Sequence, residues 1–291
     1  MKVIRAKTAG FCWGVERAIN VAREYAIKGK RPVFTDGPLI HNSQMMERLE
    51  SEGIHEIGDY MSRSELNINV DEAEKKHAVV IVRAHGVSPE RRSYLKSLGI
   101  EFHDATCPDV GTIAGRIKLQ SRKGYTTVIF GDPNHPEVIG LMGYTDARGH
   151  VVKTRADIDA LPPLGEKVCM VSQSTMFIFE FEQLAEYLKR SYPNALVFDT
   201  ICGATRERQS EVRVLAQEGA EAIIVIGGRH SANTVKLAAL VEKHNLPCYH
   251  VETAAELDFK HLRKYNVIGV TAGASTPGFL IDEACKRLAE A

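Results

Sequence analysis

Gly10-Phe11-Cys12-Trp13-Gly14, inside AGFCWGVERAIN at 9–20, returns twice in altered form, as ATCPDVGTIAGR at 105–116 and TICGATRERQSE at 200–211. The three cysteines stand at equal intervals, 107 − 12 = 95 and 202 − 107 = 95. Each lies between a strand-like run and a helix-like run, so the spacing reads as a threefold internal repeat. Two further landmarks keep the register. From each cysteine to the first strand-end histidine the intervals are 41 − 12 = 29, 135 − 107 = 28 and 230 − 202 = 28. To the second polar strand end they are 85 − 12 = 73, 174 − 107 = 67 and 275 − 202 = 73.

Outward from each cysteine, helical and strand-like patterns alternate. After Cys12 a helical spacing covers Val15 to Ala26 and stops at Gly29, and short helices are expected near Met45 to Leu49 and from Pro89 to about Leu98. After Cys107 and Cys202 helices are expected over about Gly111 to Lys123 and Glu207 to Glu218. Apolar runs such as Val79 to Val82, Thr126 to Phe130, Val168 to Val171, Ala222 to Ile226 and Val267 to Val270 read as buried strands. Residues 59 to 77 are polar and irregular, a surface loop. The pattern predicts an α/β fold of three small parallel-sheet units, about four strands each, related by pseudo-threefold symmetry around a central metal cluster and cavity. Their spans are 13–99, 100–194 and 195–291. The third ends in a helix and lacks a last strand, so the N-terminal strand in 1–12 is expected to complete it.

Composition excludes several classes. The 291 residues are 44% hydrophobic and 25% charged with zero formal net charge, so no overall basic field recruits nucleic acid or an acidic membrane. No run of about 18 apolar residues predicts a membrane span. The first ten residues enter a strand pattern without a signal-peptide core, which points to the cytoplasm. Six cysteines with no CxxC pair do not make a disulfide scaffold, a zinc ribbon or a thioredoxin-type site.

In parallel α/β sheets ligands bind beyond the carboxyl ends of the strands. His41, His85, His135, Ser174, Ser231 and Ser275 all fall at such ends, most of them just before a helix, where free N–H groups favour anions. Three thiolates, several imidazoles and hydroxyls and one obvious carboxylate, Glu137, suit a soft metal centre beside a phosphorylated ligand. A cubane iron–sulfur cluster normally takes four thiolates, so three would leave one iron open. Zinc held by three Cys and one His is the competitor at this point.

The motifs GFCWGVERAI, GPLIHN, RAHGVS, DATCP, NHPEVIGLMG, SQST, ICGATRERQ, HSANT and GVTAGASTP occur in this order along nearly the whole chain. In this order and spacing the chain resembles the LytB-type 4-hydroxy-3-methylbut-2-enyl diphosphate reductases, iron–sulfur oxidoreductases of non-mevalonate isoprene biosynthesis. The resemblance implies one [4Fe–4S] cluster per chain held by Cys12, Cys107 and Cys202, its fourth iron facing the substrate. It implies diphosphate contacts from His41, His85, His135, Ser231, Asn233 and Ser275, with the Thr205 and Ser174 hydroxyls near the substrate. Glu137 matches the proton-delivering carboxylate, in a catalytic group with His135 and Ser174. The implied reaction removes the substrate hydroxyl with two electrons and two protons to give isopentenyl and dimethylallyl diphosphates. With no GxGxxG after a strand and no P-loop lysine motif, electrons are expected from a ferredoxin or flavodoxin. Ser174 stands where the family often has Thr, and Ala232 where it often has Ser.

Other readings set the alternatives. An iron–sulfur hydro-lyase would use the same open iron without net electron transfer, and a zinc-stabilised binding protein would recognise a phosphorylated ligand without reaction. Cys169, Cys248 and Cys285 read as small core residues. His55, His77, His103, His150, His244, His250 and His261 read as surface or packing residues, Trp13 as packing, and Arg206, Glu207, Arg208 and Glu211 as a solvated helix face. His230 keeps the repeat register but is left out of the site.

Overall fold

In the computed structural model, which describes residues 1–57 and 72–290, the apolar runs become interior strands buried on both faces. The chain begins with β1 (Lys2–Arg5) and α1 (Trp13–Arg23), which widens into a π-helical segment, Glu24–Lys28, ending at Gly29. Next come β2 (Val33–Asp36), α2 (Ser43–Ser51), β3 (Ile54–Ile57), α3 (Glu72–Lys75), β4 (Val79–Val82), α4 (Pro89–Ser97) and β5 (Glu101–Asp104). The second repeat holds α5 (Pro108–Arg122), β6 (Thr126–Phe130), α6 (Pro136–Met142), β7 (Gly149–Val152), α7 (Arg155–Asp159), β8 (Val168–Ser172), α8 (Ile178–Ser191) and β9 (Leu196–Val197). The third holds α9 (Gly203–Gln217), β10 (Ala222–Ile226), α10 (Ala232–Lys243), β11 (Cys248–Val251), α11 (Phe259–Leu262), β12 (Val267–Ala272) and α12 (Gly278–Glu290). The loop expected over 59–77 contains α3, and its part from 59 to 71 lies outside the described residues.

Among the described residues all the strand pairs are parallel, in three four-stranded sheets ordered β3-β2-β4-β5, β7-β6-β8-β9 and β11-β10-β12-β1. Numbered within each repeat, the order is 2-1-3-4 every time. β1 pairs with β12, Lys2 opposite Val267, in the place that β5 and β9 take in the other sheets. That is where the strand count required the N-terminal strand to go. β7 has no clear sequence signal: it is an edge strand, GHVV, three of whose four residues are only partly buried, so neither alternation nor a continuous apolar run marks it.

The chain separates into two compact bodies. The terminal body comprises Met1–Glu16, Ile40–Glu47 and the residues from Cys202 onward. Its sheet is β11-β10-β12-β1, with a core on each face: Ile224, Val270 and Leu280 on one, Ile223, Val225 and Leu237 on the other. The middle body comprises Arg17–Leu39 and Arg48–Ile201 and holds the other two sheets. There Phe130 packs with Phe181, Leu184 and Leu188 below one face, while Ile129 packs with Ile113, Ile117 and Val138 on the other.

Within the middle body, the turn after β4 meets α6 at close range. A Cβ on Gly143 would lie 2.5 Å from the Ser88 Cβ, and one on Gly140 would touch the Val87 backbone at 3.4 Å. Tyr144 donates a hydrogen bond to the Val87 carbonyl at 3.2 Å. Any side chain at 143 would push the two repeats of this body apart. At the end of β2, the fully buried Asp36 carboxylate accepts two hydrogen bonds from Arg91 of α4, at 2.8 and 3.0 Å, a bidentate pair that ties helix to strand end.

Candidate active site

In a 2-1-3-4 parallel sheet the connections run in opposite directions from strands 1 and 3, which opens a crevice at their carboxyl ends. The sequence-predicted residues follow those strands in the chain: His41 after β2, His85 after β4, His135 after β6, Ser174 after β8, Ser231 after β10 and Ser275 after β12.

The three repeat cysteines share one backbone role. The carbonyl of Cys12 accepts from Glu16 N at 2.9 Å, that of Cys107 from Gly111 N at 2.9 Å and that of Cys202 from Arg206 N at 3.2 Å. Each is therefore the residue that opens a helix, α1, α5 or α9, where N–H groups without intrahelical partners are available. The helices begin earlier than expected, at Pro108 rather than near Gly111 and at Gly203 rather than Glu207. Cysteine is not a customary cap, so composition hid these starts. The turns are also pinned from behind. Cys107 N donates to Ala84 O at 2.9 Å, beside His85, and Cys12 N donates to Ala274 O at 3.0 Å, beside Ser275.

In the terminal body, Cys202 Sγ accepts from Thr205 N at 3.4 Å and lies 3.1 Å from the Thr205 hydroxyl. Ser231 caps α10, its Oγ accepting from Thr234 N at 3.5 Å. Asn233 accepts from Ala274 N at 3.3 Å, which leaves its amide N–H groups to donate elsewhere. Ser275 Oγ donates to His41 O at 3.1 Å and lies 3.5 Å from Ser231 Oγ. Ser275 thus joins Ser231 and the His41 backbone in one cluster, with Asn233 bonded beside it through Ala274. It depends on a glycine: a Cβ on Gly273 would fall 2.0 Å from Thr234 Oγ1. His230 is exposed.

In the middle body, Glu137 is 1% exposed. Its two oxygens accept from Ser174 N and Ser174 Oγ, each at 2.6 Å. His135 caps α6, and its Nδ1 accepts from Glu137 N at 3.2 Å. That bond requires a lone pair on Nδ1, so neutral His135 carries its proton on Nε2, as a donor. The His85 and His135 rings meet edge to face, centroids 5.6 Å apart. A cavity of about 640 Å³ in this body is lined by His85, Cys107, Arg92, Gly111, Gly115 and Lys118 among others.

The donor set fits an iron–sulfur centre. Cys12, Cys107 and Cys202 are outside any disulfide, partly exposed and at helix starts. The other three are chemically quieter. Burial pushes Cys248 up to about 11, with the Glu242 charge adding to it, and burial also raises Cys169 and Cys285. Under anaerobic conditions near neutral pH, iodoacetamide should therefore modify Cys12, Cys107 and Cys202 of the metal-free protein at least about tenfold faster than Cys248. Peptide mapping reads the rates, and equal rates would remove the distinction.

Two expectations are corrected. Trp13 does not pack beside Cys12; it is 64% exposed. Arg208 and Glu211 are not a solvated face: Arg208 is 2% exposed and Glu211 is partly buried. α9 buries Thr205, Arg208, Val212 and Leu215, which lie three or four residues apart on one face. A charge on the buried stripe breaks the amphipathic pattern, so periodicity alone assigned it outward.

The LytB protein family model matches residues 3–289. A 4-hydroxy-3-methylbut-2-enyl diphosphate reductase of Opitutus terrae is 64% identical over 288 residues, covering 99% of each chain, and one of Alkaliphilus oremlandii is 40% identical over 290 residues with the same coverage. The structure of the E-1-hydroxy-2-methyl-but-2-enyl-4-diphosphate reductase of Plasmodium falciparum superposes with a TM-score of 0.88 at 28% identity, covering 99% of this chain and 87% of that one. A structure of (E)-4-hydroxy-3-methyl-but-2-enyl diphosphate reductase, described as the terminal enzyme of the non-mevalonate pathway, gives 0.72 at 35% identity with both chains fully covered. The 2-1-3-4 sheets, the three helix-opening cysteines and this match along almost the whole length lead to one conclusion: the chain belongs to the LytB protein family.

Proposed function

We propose that this chain reduces (E)-4-hydroxy-3-methylbut-2-enyl diphosphate to isopentenyl and dimethylallyl diphosphate. The C–O bond to the hydroxyl breaks and a C–H bond forms: two electrons and one proton make the C–H bond, and the second proton leaves with the hydroxyl as water. LytB enzymes are iron–sulfur oxidoreductases. In this reading Cys12, Cys107 and Cys202 hold one [4Fe–4S] cluster, which supplies the electrons and an open, Lewis-acidic iron. The observation that carries the reading is the common placement of these cysteines, each opening a helix at a 95-residue interval.

The remaining residues bind and protonate. His41, Ser231, Asn233 and Ser275 offer donors to the diphosphate, the Ser275 hydroxyl turning from its bond to His41 O. His85 and His135 add imidazole donors to the same phosphates. Glu137 delivers a proton, and Ser174, bonded to both of its oxygens, holds the carboxyl group in one orientation. Thr205, beside Cys202 Sγ, lies against the substrate. The stretches 13–99, 100–194 and 195–291 with 1–12 are the three repeat units. Among the described residues no helix is long and apolar enough to cross a membrane, and we place the enzyme in the cytoplasm with a ferredoxin or flavodoxin as electron donor.

Anaerobic purification tests this. Iron and sulfide with visible absorption near ~400 nm, and turnover of the allylic diphosphate only with reductant, are expected. Stoichiometric zinc without iron would overturn the reading, and reductant-independent loss of water would make the chain a hydro-lyase.

A further inference from the structure

Helix α9 does more than carry Cys202. Its Arg208 guanidinium donates from one terminal nitrogen to Ala204 O at 3.0 Å and from the other to Gly10 O at 2.7 Å. Ala204 lies two residues after Cys202, and Gly10 lies two residues before Cys12. One turn further along, Glu211 accepts from Lys7 N at 2.8 Å, from Thr8 N at 3.0 Å and from the Thr8 hydroxyl. The segment from β1 to Cys12 is therefore held at three successive points by side chains of the Cys202 helix.

Burying a guanidinium is costly unless acceptors and opposite charge surround it. Burial pulls the Arg208 pKa down, and Cys12 and Cys202 are the foremost groups opposing that, ahead of Glu211 and Glu207. A guanidinium nevertheless stays charged. Arg208 Nε is buried and has no hydrogen-bond partner among the described residues, so the two carbonyls engage only the terminal nitrogens. Two carbonyls and two neighbouring sulfurs account for its position.

We propose that Arg208 is a positioning residue of the cysteine site: it locks the Cys12 turn to the Cys202 turn and presents a fixed positive charge to both sulfurs, favouring the reduced state of the centre they hold. The proposal rests on the assignment of Cys12 and Cys202 as ligands. An electron added beside a fixed cation is stabilised, and one added beside a carboxylate is opposed, so the two charged residues of this clamp act with opposite sign.

The test is potentiometric titration of the anaerobic holoenzyme, followed by visible absorption, in Arg208→Met, Arg208→Lys and Glu211→Gln. In Arg208→Met the reduced-to-oxidised ratio at a fixed ambient potential should fall about tenfold, a negative shift of about 59 mV for one electron. Glu211→Gln should shift the potential the other way. Arg208→Lys keeps the charge but lacks the two-pronged fork, so it should hold a near wild-type potential with less iron per chain. Mere loosening of the site would move Arg208→Met and Glu211→Gln in the same direction, and that result, or no shift in Arg208→Met, overturns the proposal. If Arg208→Met retains too little centre to titrate, an unshifted Glu211→Gln overturns it. Wild-type protein without iron would instead remove the ligand assignment. The clamp is then read from the Tm of the metal-free chain, which Arg208→Met should lower and which, if unchanged, ends the proposal.

Discussion

Glu137→Gln should lower turnover by about 10²–10⁴-fold, the usual contribution of a positioned proton donor, while iron content and substrate affinity stay near wild type. The expectation follows from the hydrogen bonds around the side chain. Ser174 N donates to one Glu137 oxygen and Ser174 Oγ to the other, both at 2.6 Å. In the amide, the remaining oxygen still accepts from Ser174 N. The new NH2 donates to Ser174 Oγ once that hydroxyl rotates. Shape and hydrogen bonding survive in a site only 1% exposed, and only the transferable proton is lost. The separation of kcat from iron content and from substrate Kd is the measurement. A variant with near-normal kcat would take Glu137 out of the mechanism.

Cys107→Ser should abolish activity, with a loss of more than about 100-fold, beyond what removing an outer-shell partner of a metal costs, yet leave the metal-free fold at least as stable. Cys107 opens α5 with Pro108 in the next position, and its sulfur makes no cap hydrogen bond. Serine is among the preferred residues there, worth about 1 kcal/mol over a residue that does not cap. The backbone bonds that fix the turn, Cys107 N to Ala84 O and Gly111 N to Cys107 O, both 2.9 Å, do not involve the side chain. A hydroxyl is a hard donor and stays protonated near neutral pH, so it replaces thiolate poorly on iron. Iron per chain, activity and the Tm of the metal-free protein are read together. Full iron retention would remove Cys107 from the ligand set. A large fall in Tm would show that the sulfur supports the fold instead.

Much of the fold was legible because the repeat is written three times. A single Cys12 at a turn would have meant little; the two 95-residue intervals gave it partners before any contact was known. The interior strands were equally plain, since parallel strands buried on both faces need unbroken apolar runs, and Thr126 to Phe130 and Ala222 to Ile226 match β6 and β10 residue for residue. The edge strand β7 was not: it is short and partly exposed, so its pairing depends on the neighbour it lies beside and not on its own pattern.

Sequence alone thus determined the α/β class, the threefold repeat, the place of β1 in the third sheet and the types of residue at the strand ends. These follow from periodicity and counting, which are properties of the chain. Only the tertiary structure decided how the side chains are used: that the cysteines open helices, that Ser174 engages both oxygens of Glu137, that His135 Nδ1 accepts from Glu137 N, and that Arg208 lies buried between two carbonyls. The physical reason is distance along the chain. Gly10 and Arg208, or Glu137 and Ser174, stand many residues apart, and a hydrogen bond of under 3 Å between them leaves no local mark on propensity or pattern.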